Sequence, residues 1–179
     1  MTPNFKFLKL GIGVFFGVYS FILLFNLLFR RIILRVLSPE QFIRWYEGAP
    51  TLEVLSLNTN LLPFRQITEY LFRSHWFNTD IIVRNLFGSI LIYIPLGIFL
   101  PLLFNHCRKI SNIIMVSAIC SFMIEFSQLV FRVGQFDVDT IILNTLGSII
   151  GYGIFKGIWK LAMIKNELTD KKKLIIFDE

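Results

Sequence analysis

Four polar side chains recur at helical spacing in this 179-residue chain: Ser121, Glu125, Gln128 and Arg132. At 3.6 residues per turn they make one stripe down a single helix face. Asp137 and Asp139 alternate with Val138 across an acidic elbow, and Asn144 follows a turn or so into the next helix. Carboxylates and amides grouped in this way support two kinds of chemistry. They can hydrogen-bond a polar headgroup, or Glu125 can act as a general base with Asp137 or Asp139 as acid, base or metal ligand. The catalytic candidates are therefore Glu125, Asp137 and Asp139. The ligand-binding candidates are Asn85, Glu125, Gln128, Arg132, Asn144 and Arg84, the last as an ion-pair partner for Glu125. No nucleophile–base pair and no phosphate-cradling loop accompanies them.

Each candidate also has a structural explanation. Asp139 suits the N-cap of the helix that follows it. Gln128 and Asn144 suit hydrogen bonds between helices, and Gly147-x-x-x-Gly151 and Gly153-x-x-x-Gly157 suit close helix approach. Glu125 stands apart, because a buried carboxylate costs stability without improving packing.

The elements that carry these residues are membrane helices. The chain is 55% hydrophobic, with a mean hydropathy of +0.66 and 20 Phe. Several uncharged runs approach or reach the roughly 20 residues needed to cross a bilayer core. The reading is an all-α integral membrane protein with four spans: residues 10–29, 85–104, 110–131 and 140–164. Residues 1–9 form a short N-terminus and residues 165–179 a polar, mobile tail. The first span is longer than a signal-peptide core and lacks a small-residue cleavage site, so it reads as a retained anchor. Glu125 then lies roughly 9 Å of helix rise below the end of span 3, with Asn85, Gln128 and Asn144 converging at similar depth.

Charge placement sets the expected orientation. All nine Lys lie in the N-terminus, beside Arg108, or from Lys156 onward. Lys retained near the spans in this way marks the cytoplasmic side, so both termini are expected in the cytoplasm of a bacterial cell. It is not a phosphate groove, which argues against nucleic acid despite a net charge of +6. With two Cys and two His, neither a disulfide framework nor a zinc site is indicated, and no cofactor is called for.

Residues 30–84 are the one long connection, expected outside the cell. Ser38-Pro39-Glu40-Gln41 carries the marks of a helix start, followed by Phe42, Trp45 and Tyr46 as an interfacial face. Asn60-Leu61-Leu62-Pro63-Phe64 is a compact turn signal, and residues 67–73 suit a short amphipathic helix. The whole reads as an ordered cap lying on the membrane.

Several of these pieces together resemble the VanZ-like family. They are Asn60-Leu-Leu-Pro-Phe64, Asn85-Leu-Phe-Gly-Ser-Ile-Leu-Ile-Tyr-Ile-Pro-Leu-Gly97 and Ser121-x-x-x-Glu125-x-x-Gln128. Arg132, Phe136-Asp-Val-Asp139, Asn144-Thr-Leu-Gly147 and Gly151-Tyr152 complete the set, within about residues 58–153. Two positions depart from the family pattern, Ser89 where Asn is usual and Thr140 where a second Asp is usual. The resemblance implies a bacterial cytoplasmic-membrane protein of the cell envelope, of a family tied to reduced susceptibility to teicoplanin-type glycopeptides. The expected partners are a membrane lipid, a lipid-linked cell-wall precursor or a lipophilic glycopeptide, with a second copy of the chain, as a homo-oligomer, a further candidate. A binder or envelope modulator is favoured over an enzyme acting on a lipid or cell-wall precursor headgroup.

Overall fold

A computed structural model describes residues 3–37, 59–72, 79–131 and 133–177. Among the described residues, four helices are long and apolar enough to cross a membrane: Phe7–Phe29, Asn85–Leu103, Ile110–Val130 and Val138–Lys165. They are spans 1 to 4 below. The chain is a multi-pass membrane protein, and its described residues are all-α apart from one two-residue strand pairing. The helix start expected from Ser38 lies outside the described residues.

The helix of span 1 does not stop at the basic residues. It runs from Pro3 to Leu24, passes through a π-helical stretch Phe25–Phe29 and continues as Arg30–Leu37. Nothing before Ser38-Pro39 breaks a helix, and Pro39 restricts the residue ahead of it. The tail also differs from expectation. Span 4 belongs to a single 40-residue helix, Val138–Phe177, because no Gly or Pro follows Gly157 and the tail is rich in Lys, Leu and Ile, of which Lys and Leu are strong helix formers. Span 2 opens with a π-helical stretch, Arg84–Gly88, and continues as Ser89–Leu103 with Pro95 and Pro101 inside it.

Glycine sets the tightest contact. Spans 2 and 4 meet where Gly147 lies against the Ile90 carbonyl, Gly151 against the Ile94 carbonyl, and Gly97 against the Ser148 carbonyl. A Cβ at any of the three would run into backbone, so these helices come as near as main chains allow. The second expected pair behaves differently. A Cβ at Gly153 or Gly157 would meet nothing within 4 Å, because those two residues sit on the outer side of span 4, so this pair mediates no close approach among the described residues.

Around that seam the usual arrangement of a soluble protein is inverted. Phe15, Phe21, Leu91, Ile119, Phe122 and Leu161 point outward, as lipid-facing side chains do, while Ser117, Ser121, Glu125, Gln128, Asp139, Asn144 and Ser148 are buried. Span 1 packs at the side, its Tyr19 hydroxyl donating to the Ile92 carbonyl at 2.7 Å and its Phe16 and Tyr19 rings meeting Phe99. At one end of the bundle a short 3-10 turn, Asn105–Arg108, joins spans 2 and 3. The Tyr152 hydroxyl donates to the Arg108 carbonyl there at 2.5 Å.

At the other end the long connection is tied to the elbow. Strand β1 (Thr59–Asn60) pairs in parallel with β2 (Phe136–Asp137), Thr59 opposite Phe136 and Asn60 opposite Asp137. The helix Arg65–Phe72 follows β1 directly after the turn.

Gly151→Ala should destabilise the bundle by roughly 1–3 kcal/mol through overpacking against Ile94. Gly153→Ala should be neutral or stabilise it by up to about 1 kcal/mol through helix propensity. Unfolding of the purified protein in mixed detergent, followed by circular dichroism, distinguishes the two.

Candidate functional site

The polar residues gather at the connection end, and the sequence dictates how. Asp137 precedes a long helix, and its Oδ1 accepts from the backbone N–H of Asp139 at 2.9 Å, while the Thr140 hydroxyl donates to its Oδ2 at 3.5 Å. Asp137, not Asp139, is therefore the residue that caps span 4. The helix already begins at Val138, which puts Asp139 inside the first turn and frees its side chain for other partners.

Those partners are on the connection. Asp139 is fully buried, and its carboxylate accepts from the backbone N–H groups of Phe64 at 2.5 Å, Gln66 at 2.7 Å and Ile67 at 3.1 Å. These lie at the start of the helix Arg65–Phe72, whose first N–H groups have no partner within their own helix. Asp139 thus caps a helix more than 70 residues away in the chain. Phe64 adopts a left-handed backbone with φ of 65°, a conformation costing about 1–2 kcal/mol for a residue with a Cβ. The three hydrogen bonds hold it there.

Asn60 adds a second tie, its Nδ2 donating to Asp137 Oδ1 at 2.8 Å. Glu125 reaches the same elbow from below, where its Oε2 accepts from the Asp137 backbone N–H at 3.3 Å. Glu125 and Asp137 are both buried. Loss of hydration pushes the Asp137 carboxyl above the usual carboxylate range, and the nearby charge of Asp139 adds to this, against the hydrogen bonds from Asn60, the Asp139 N–H and Thr140.

The other candidates point in separate directions. Gln128 donates from Nε2 to the Leu27 carbonyl at 3.0 Å, within the π-helical stretch of span 1. Asn144 donates to the Ser121 hydroxyl at 2.7 Å, deeper in the bundle. Asn85 donates to the Tyr70 hydroxyl at 2.7 Å and so ties span 2 to the connection helix. Ser121, Glu125 and Gln128 of the expected stripe on span 3 are all buried, yet they serve three different neighbours. The Arg84 side chain and the whole of Arg132 lie outside the described residues.

Asn60, Tyr70, Tyr93 and the backbone of residues 64–67 were not among the sequence-derived candidates. Asn60 carried a signal as the first residue of the turn motif, whereas a backbone N–H carries none. Among the described residues no three His, Cys, Asp or Glu side chains gather as a metal site would require. A shallow cavity of about 340 Å³ lies on the connection helix, lined by Arg65, Thr68, Glu69 and Phe72, and none of the sequence-derived candidates lines it.

Two outcomes follow from this geometry. Asp139→Ala leaves three N–H donors unpaired and should loosen the connection by roughly 1–3 kcal/mol, seen as faster tryptic cleavage after Arg65 while the spans remain inserted. Asp137 is held above its unfolded value, so its contribution to stability is full below the ordinary Asp pKa of about 3.9 and declines as pH rises through the folded value. Asp137→Asn should remove that part of the slope in unfolding midpoint against pH.

A protein-family comparison matches the VanZ/LLP1 model over residues 16–161. The match begins within span 1 and therefore takes in the π-helical stretch that receives Gln128. Comparison with curated proteins and with solved structures finds no match. With well over half of its length matched, the chain belongs to the VanZ/LLP1 family.

Proposed function

We propose that this VanZ/LLP1-family membrane protein binds a lipid-linked or lipophilic ligand at the outer leaflet of a bacterial cytoplasmic membrane. Both termini are then cytoplasmic, and binding modulates susceptibility to teicoplanin-type glycopeptides. One observation carries the reading: a fixed polar floor beside an apolar lip. Glu125, Asp137 and Asn60 form the floor, and Asn60 Oδ1 is buried without a hydrogen-bond partner among the described residues. Leu61, Leu62 and Phe64 form the lip, each more than half exposed on a turn whose backbone Asp139 holds. A ligand with a polar head and an apolar chain matches both halves, since polar groups fix orientation and apolar contact supplies affinity.

The enzyme reading has less support from the same atoms. Both oxygens of Asp139 accept backbone N–H groups, and Asp137 holds a helix start and Asn60. Proton transfer would require either to leave a structural role. Glu125 remains the carboxylate whose role is not explained by a cap, which makes it the residue to change first.

In a sensitive Gram-positive host, the wild-type chain should raise teicoplanin tolerance. Glu125→Gln and the paired change Leu61→Ser with Leu62→Ser should reduce it, at membrane levels equal to wild type by blot. Equal tolerance for all three proteins at equal levels removes the proposed site. Labelling of Leu62→Cys in intact cells by an impermeant maleimide, in a chain lacking Cys107 and Cys120, tests the orientation. Labelling only after permeabilisation places the connection inside the cell and ends the outer-leaflet reading.

A further inference from the structure

The middle of the bundle holds a second polar cluster, below the outer floor. Tyr93 of span 2 is fully buried in the apolar core, and its hydroxyl lies near that of Ser121 of span 3 without meeting it in hydrogen-bond geometry. Asn144 of span 4 donates to that same Ser121 hydroxyl at 2.7 Å. The flanking serines are occupied: Ser148 donates to the Tyr93 carbonyl at 3.3 Å and Ser117 to the Ile113 carbonyl at 2.6 Å. Two atoms are not. The Tyr93 hydroxyl and Asn144 Oδ1 are buried and make no hydrogen bond among the described residues, although Tyr93 is 0% and Asn144 3% exposed. Exchanging the oxygen and nitrogen of the Asn144 amide still leaves one end unpaired.

Unpaired polar atoms in a bundle core carry the full cost of desolvation. The two needs are complementary, since a phenol donates one hydrogen bond and an amide oxygen accepts one. A single neutral group that both accepts and donates meets both. An anion would face Asn144 Oδ1, and an ammonium would offer Tyr93 no acceptor. Water or an alcohol hydroxyl has the required chemistry, and waters in such places characteristically join otherwise unsatisfied groups. We propose that Tyr93, Ser121 and Asn144 form an interior site, between spans 2, 3 and 4, for a neutral hydroxyl guest: a water molecule or the hydroxyl of a lipid headgroup. The site draws on no residue of the connection, and the Glu125 carboxylate, one turn along span 3 from Ser121, lies close enough to act on the Tyr93 hydroxyl.

The test uses the full chain in nanodiscs. In phosphatidylcholine, Tyr93→Phe should lower the unfolding midpoint by several degrees, on the order expected for one lost buried hydrogen bond. Combined with Asn144→Ala, the loss should be clearly smaller than the two single losses added together. A Tyr93→Phe midpoint equal to or above wild type overturns the site, because removal of an unserved hydroxyl relieves a cost. Cross-relaxation to the Tyr93 ring protons of the wild-type chain, labelled at tyrosine, gives a reading independent of any variant's folding. Transfer from water in both phosphatidylcholine and phosphatidylglycerol nanodiscs identifies water as the guest. Transfer from glycerol protons in phosphatidylglycerol identifies a lipid hydroxyl. Transfer from neither overturns the proposal.

Discussion

One carboxylate joins the two halves of this protein. Spans 2 and 4 meet through glycine contacts in which the connection has no part. The described part of the connection from Thr59 to Phe72, in contrast, holds a two-residue strand, a turn with a left-handed Phe64 and an eight-residue helix. Helices of that length are marginal in isolation. Asp139 changes this by supplying acceptors to three backbone donors at once. Hydrogen bonds to a charged group are stronger than neutral ones, and here the accepting carboxylate is fully buried. The turn's position over the bundle, the exposure of Leu61 and Leu62 and the reach of Asn60 to Asp137 all depend on that anchor.

The apolar exterior explains why the anchor must be electrostatic. Among lipid tails, burying another leucine gains little, because the alternative environment is equally apolar. Specific association then comes from close main-chain contact and from hydrogen bonds. This protein uses them in separate places: glycines where spans 2 and 4 cross, and carboxylates and amides toward the connection end. The aromatic residues take an intermediate part. Tyr19 and Tyr152 each bury a ring while placing a hydroxyl on a backbone carbonyl.

Much of this could be read from the residues. Four apolar runs gave four helices, the buried stripe on span 3 followed from its spacing, and the pair Gly147 and Gly151 lies at a true contact. Failures have physical causes. Spacing alone does not separate Gly153 and Gly157 from the productive pair, because both repeat at one turn and only the neighbour's position decides which face is used. Asp139 was read as a local cap because local partners are visible in sequence. Its actual partners are backbone groups brought close by the fold. Glu125 accepts from a main-chain N–H at Asp137, which no residue type could announce.

The π-helical stretch in span 1 carries this last point further. Its wider turn accommodates an extra residue, and the carbonyl of Leu27 within it receives Gln128. The acceptor belongs to the main chain, so it survives any side-chain exchange at position 27. A conventional alanine scan would report only the packing of the Leu27 side chain, which lies partly buried against the core, and would miss its carbonyl. The length of span 1 is the informative variable here: removing one residue would restore regular winding and rotate one flank of the helix by about 100° against the other.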